Sequence, residues 1–154
     1  MKPDFLPDLP CLCASVRRAS RALTQFYEEA LRPFGLRASQ FTILQTLTLA
    51  GEVSQGELGQ MLAMDSTTLT RILAIMSRRG WIARRPGEDR RVTLIRLSSP
   101  GKAQFERALP SWENVQARLR KKLGGGRWEQ LMNISSDVTR MVAERSNQSS
   151  GKNA

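Results

Sequence analysis

Residues 54–98, SQGELGQMLAMDSTTLTRILAIMSRRGWIARRPGEDRRVTLIRLS, decide the fold. Ser54 and Glu57 stand in the S-x-x-E relation of a capping box, so a short helix opens there with Leu58, Met61 and Leu62 inward. Met64-Asp65 makes a tight turn, and Asp65 or Ser66 caps a second helix that runs through Arg79. Its inward stripe, Leu69, Ile72/Leu73 and Met76, recurs in helical steps, and Gly80 sits where a left-handed C-terminal cap belongs. The period then changes. Trp81-Ile82-Ala83 reads as a strand, Arg85-Pro86-Gly87-Glu88-Asp89-Arg90 as a turn, and Val92–Leu97 as a second strand. Two short helices joined by a tight turn and followed by a two-stranded hairpin form a winged helix-turn-helix.

Long helices flank this unit. Leu12, Val16, Ala19, Leu23, Phe26/Tyr27, Ala30/Leu31 and Phe34 make one stripe of a helix ending near Pro33–Gly35. Ser39 caps a helix carrying Phe41, Ile43/Leu44 and Leu47, which stops at Gly51. Behind the hairpin, Ser99-Pro100 supplies an N-cap and a first-turn proline to a long helix with Phe105, Leu109, Trp112, Val115 and Leu119 on one face. The run Gly124-Gly125-Gly126 breaks it, and a last helix shows Trp128, Leu131, Ile134, Val138 and Met141/Val142. The expected fold class is mainly α with a small β-hairpin wing, a winged helix-turn-helix over 36–98 flanked by dimerisation helices over 8–35 and 99–146, with a disordered tail over 147–154. The flanking stripes exceed what so small a domain can cover. They need a second copy of the chain, or else cover each other as a bundle within one chain.

At 154 residues, 40% apolar and 25% charged, the chain is an ordinary single-domain length able to bury its own core. It contains no histidine, which excludes a Ser-His-Asp or Cys-His nucleophile and any His-containing metal site. Gly124–Gly126 lacks the Lys-Ser/Thr of a phosphate loop, so no enzyme chemistry and no cofactor is expected. The opening MKPDFLPDLP is too acidic and proline-rich for a signal peptide, and the longest uncharged stretch, Ala38–Gly51, is only 14 residues. A cytoplasmic protein without a membrane partner is the expectation.

The net charge is +10, and its placement is informative. Residues 65–98 hold eight arginines against three acids and contain no lysine. Arginine suits planar, bidentate contact with phosphate and guanine. The exposed start of the second short helix offers Ser66, Thr67, Thr68, Thr70 and Arg71, small hydroxyls with an arginine at the end that enters a major groove. Arg90 and Arg91 project from a narrow hairpin tip, a shape suited to a minor groove, and Asp89 is placed to hold Arg91 extended. A solvated basic face or a protein-binding winged helix would carry the same charges.

Ser39-Gln40-Phe41-Thr42-Ile43-Leu44, Gly59-Gln60-Met61-Leu62, Asp65–Arg71 and the wing string Asp89-Arg90-Arg91…Leu97-Ser98…Gly101 resemble the MarR (multiple antibiotic resistance regulator) family over roughly Leu12 to Val142. The resemblance implies a homodimeric transcriptional regulator that docks on a pseudo-palindromic double-stranded DNA operator, more often a repressor relieved by a small lipophilic or phenolic effector. It assigns Ser66, Thr67, Thr68, Thr70 and Arg71 to the major groove, Arg91 to the wing tip and Asp89 to the wing aspartate. It also implies a cleft bordered by the first two helices, where Arg17 and Phe41 are the ligand candidates. Some members sense hydroperoxides through a first-helix cysteine aided by tyrosines. Cys13 lies before Phe26-Tyr27 in that manner, but its neighbour one turn on is Arg17, and Cys11 and Cys13 serve equally as small helix residues.

Overall fold

In the computed structural model the backbone is described for residues 10–150 and the side chains for residues 10–141. Six helices and three strands follow in the order α1 (Leu12–Leu31), α2 (Ala38–Ala50), β1 (Val53–Ser54), α3 (Gln55–Met61), α4 (Ser66–Arg78), β2 (Ile82–Pro86), β3 (Thr93–Leu97), α5 (Ser99–Leu123) and α6 (Gly125–Ser150), with a 3-10 turn at Arg32–Phe34. The winged helix-turn-helix order holds.

Most helix ends are fixed by groups the sequence displays. Ser54 Oγ accepts from the Glu57 amide while Glu57 returns a bond to the Ser54 amide, closing the capping box of α3. Asp65 caps α4 by accepting from the Thr68 amide at 2.8 Å. Gly80 takes φ +71 just past α4, as a left-handed cap requires. Three boundaries differ from expectation. Helix α2 begins at Ala38, ahead of Ser39, because Glu28 of α1 accepts the Ala38 amide at 2.8 Å and Gln40 accepts the Arg37 amide at 2.9 Å. Ser98, not Ser99, caps α5 through the Gly101 amide at 3.0 Å. The glycine run costs a single residue of helix, Gly124 at φ +80, while Gly125 and Gly126 join the first turn of α6.

Helix α6 then continues to Ser150, past position 146, since no glycine or proline interrupts it before Gly151. The remaining residues of the expected tail, 151–154, lie outside the described residues.

The sheet has one strand more than the sequence reading found. β1 pairs antiparallel with β3 through Val53↔Ile95 and Ser54↔Leu94, and β3 pairs with β2, giving the order β1-β3-β2. Two residues are too short for any period to show. Leu44, Leu58, Leu69, Leu73, Met76 and Ile95 are fully buried where α2, α3, α4 and β3 meet. Met61, expected inward, is 54% exposed on the outer side of the short α3. Phe41 stacks against Phe105 and Trp112 of α5 at ring centroid distances of 5.2 and 5.7 Å, tying the winged unit to the long helix behind it.

Gly101 shows why the wing string ends in glycine. A Cβ at that position would stand 1.9 Å from the Trp81 carbonyl oxygen. The Ser98 amide donates to that oxygen at 3.1 Å, and the Ser98 hydroxyl donates to the Gly80 carbonyl, so α5 starts pressed against the end of α4.

Candidate nucleic-acid interface

The first turns of α4 stand clear of the core. Leu69 faces inward with no exposure, while Ser66, Thr67, Thr68, Thr70 and Arg71 are all exposed. Helix periodicity accounts for the division: the buried positions Leu69, Leu73 and Met76 lie on one stripe, so the hydroxyl residues fall on the other. The wing is built by the β2–β3 hairpin, whose tip is closed by bonds from the Gly87 amide to Val92 O at 2.8 Å and from the Val92 amide to Asp89 O at 2.9 Å.

At that tip Asp89 grips Arg91 as the sequence suggests. Asp89 Oδ1 accepts the Arg91 amide at 2.9 Å, and its carboxylate meets Arg91 Nε at 3.2 Å and Nη2 at 3.1 Å. These bonds hold the Asp89 carboxyl below its ordinary pKa. An exposed pair of this kind contributes little to stability, so its consequence is geometric: it limits the directions Arg91 can take. Ser66 and Arg91 line one groove together with Gln55, so the start of α4 and the wing face a common space.

The arginines of the 65–98 block divide into two groups, a distinction charge counting misses. Arg85 pairs with Glu52, which lowers the Glu52 pKa and raises that of Arg85. Arg84 donates to Gln55 Oε1 at 2.9 Å, and Arg79 donates to the Gly35 carbonyl at 3.0 Å while lying over the Trp81 ring. Among the described residues Arg71, Arg78, Arg90 and Arg96 have no ion-pair or hydrogen-bond partner, and of these Arg71 and Arg90 stand on the first turns of α4 and the wing tip. Arg71 and Arg90, with the Asp89-held Arg91, are the arginines at the start of α4 and the wing tip.

A cavity of about 700 Å³ lies between α1, α2, α5 and α6 and shares Val138 and Thr139 of α6 with the groove. Tyr27, Phe41, Trp112 and Gln116 are in its wall, and burial raises the Tyr27 phenol pKa, keeping it neutral. Among the described residues Gln116 Oε1 is buried without a hydrogen-bond partner. Of the two ligand candidates, Phe41 forms part of the wall but is 1% exposed, while Arg17 is exposed on α1 and outside the lining. The structure does not bring them together. Tyr27, Trp112 and Gln116 line the wall from which Arg17 is absent, and the 3.6-residue stripe of α1 already included Tyr27.

The thiols stand apart from this site. Cys11 and Cys13 are free and exposed at the start of α1, and fourteen residues of helix, about 21 Å, separate Cys13 from Tyr27. The arrangement expected of a tyrosine-assisted thiol sensor is therefore not formed within the chain.

Comparison with known proteins places these features in context. The family model described as "MarR family" matches residues 36–93. The multiple antibiotic resistance protein MarR of Escherichia coli is 34% identical over 104 residues, covering 67% of this chain and 72% of that protein. The uncharacterized HTH-type transcriptional regulator YwoH of Bacillus subtilis is 32% identical over 95 residues, 62% of this chain and 69% of its own length. Among solved structures, the Mycobacterium tuberculosis transcriptional regulator MosR in complex with DNA superposes with a TM-score of 0.78 at 34% identity, covering 86% of this chain and 96% of that one. A mutant E. coli MarR complexed with operator DNA superposes with a TM-score of 0.74 at 26% identity, covering 82% and 92%.

Proposed function

Since this chain belongs to the MarR family of transcriptional regulators, we propose that it acts as a homodimer that binds a pseudo-palindromic operator and represses transcription until a small lipophilic or phenolic ligand loosens its grip. The observation that carries the reading is the placing of Ser66, at the exposed start of α4, and the Asp89-held Arg91 on one groove. Phosphate contacts from Arg90, Arg91 and backbone amides set the register, and Arg71 with Ser66, Thr67, Thr68 and Thr70 meets base edges. The DNA complexes of MosR and E. coli MarR, with similar folds, support the assignment.

Dimerisation accounts for surface that one chain leaves bare. Leu12 and Val16 on α1, with Met132, Ile134 and Met141 on α6, are each more than half exposed. Several of them also border the cavity, so a second copy would cover both at once. A ligand seated there touches α2 on one side and the dimer helices on the other. It changes DNA affinity only if it binds the two arrangements unequally. The aromatic wall suits a planar apolar body, and the unpaired Gln116 Oε1 suits one donor on it.

Fluorescence anisotropy with a random-sequence duplex pool tests the DNA reading. The wild type binds with a steep salt dependence, and Arg91→Ala loses about one unit of salt slope. Equal binding by the two proteins, or none by either at low salt, overturns it and favours a protein-binding winged helix.

A further inference from the structure

Threonine hydroxyls within helices commonly turn their hydrogen back on the chain, and three in α2 do so. Thr42, Thr46 and Thr48 donate to the carbonyls of Ala38, Thr42 and Leu44 at 3.0, 2.9 and 2.8 Å. Thr70 behaves differently. Its Oγ1 accepts a bond from Gln55 Nε2 at 2.9 Å, and among the described residues its own hydrogen has no acceptor. Gln55 Oε1 in turn accepts from Arg84 Nη2 at 2.9 Å.

Chemistry fixes the sense of this series. A guanidinium has donors only, so Arg84 must meet the amide oxygen of Gln55. The amide nitrogen is then left facing Thr70, where it can only donate. The Thr70 hydrogen cannot point at another N–H, so it swings away from Gln55 toward solvent. Each bond also polarises the next.

We propose that Gln55 is a positioning residue that commits the Thr70 hydroxyl to donate outward, making Thr70 a selector of hydrogen-bond acceptors on duplex DNA. The inference rests on the DNA-binding reading and sharpens it. An unconstrained threonine accepts and donates alike, whereas one set to donate meets guanine N7 and O6, adenine N7 or thymine O4 and is mismatched to the cytosine amino group. A phosphate oxygen offers the same acceptor chemistry. Thr70 is exposed one turn into α4, beside the unpaired Arg71, while Gln55 belongs to the wall of the groove that Ser66 and Arg91 share.

The test uses the full chain and a duplex enriched by the wild type from a random pool. Thr70→Val and Gln55→Met each weaken binding by about threefold to tenfold, the net worth of one such hydrogen bond. Thr70→Ser keeps the hydroxyl and retains affinity. In the Thr70→Val background Gln55→Met costs nothing further, because its effect passes through Thr70. Re-selection with Thr70→Val assigns the acceptor: loss of preference at one base pair identifies a base, and unchanged preference with uniformly weaker binding at an unchanged salt slope identifies a phosphate. Unaltered melting temperatures separate these effects from folding. Multiplying effects in the double variant, or a silent Gln55→Met, overturns the relay and leaves the DNA reading standing. A wild type that enriches no duplex overturns both.

Discussion

The winged unit and the terminal helices use similar amounts of apolar sequence to opposite ends. In residues 36–98 the apolar side chains close on one another: Ile43, Leu44, Leu58, Leu69, Leu73 and Ile95 have no exposure above 0%. On α1 and α6 several remain in water, with Leu12 at 71% and Ile134 at 60% exposed. Burial of apolar surface is the main force that stabilises a fold, so the first region completes itself and the second does not. The bare surface of the terminal helices is what the proposed second copy would cover, whereas the winged unit closes on itself.

Core truncation gives the largest expected effect. Leu73→Ala removes a fully buried side chain and costs about 2–5 kcal/mol of stability, read by denaturant unfolding. On α6, Ile134→Asp leaves the fold of the single chain intact but puts a charge where the second copy packs. Sedimentation should show the dimer weakened by about 2 kcal/mol or more, some thirtyfold. A large loss of chain stability from Ile134→Asp, with no change in association, would erase the contrast between the regions.

Smaller effects probe the wing. Asp89→Asn frees Arg91 and weakens duplex binding by less than Arg91→Ala does in anisotropy titrations, since an exposed pair only restrains direction. The smallest is a pH effect confined to the winged unit. Glu52, Glu57, Asp65 and Asp89 are held below their ordinary pKa by Arg85, Ser54, Thr68 and Arg91 in turn. A carboxyl depressed in the folded state favours folding above its unfolded value, here 4.5 for Glu and 3.8 for Asp. That contribution disappears as pH falls through the lower folded value. Melting temperature is therefore expected to be level from about pH 7 to about pH 5 and to decline below about pH 4.

Much of this was legible in the chain. The Ser54/Glu57 box, the Asp65 cap, the Gly80 turn and the Asp89–Arg91 grip are local, set by residues a few positions apart, and local chemistry shows in a sequence. What escaped was long-range. Glu28 caps α2 from another helix, β1 exists only because β3 lies beside it, and Gln55 connects two elements that no spacing rule relates. Charge counting picks out Arg71, Arg90 and Arg91 by position but does not show that the fold commits Arg79, Arg84 and Arg85 to internal partners. Arg17 lies outside the cavity lining for the same reason: which side of α1 faces a cavity depends on what packs there.

The central claim is that two copies joined by their terminal helices present α4 and the wing to one duplex. Selection of bound duplexes from a random pool measures this most directly. The account predicts an inverted repeat whose half-sites lie one helical turn apart, about 10 bp centre to centre, or a multiple of it. Enrichment of no sequence at low ionic strength, or of one unsymmetric site without a repeat, would contradict it.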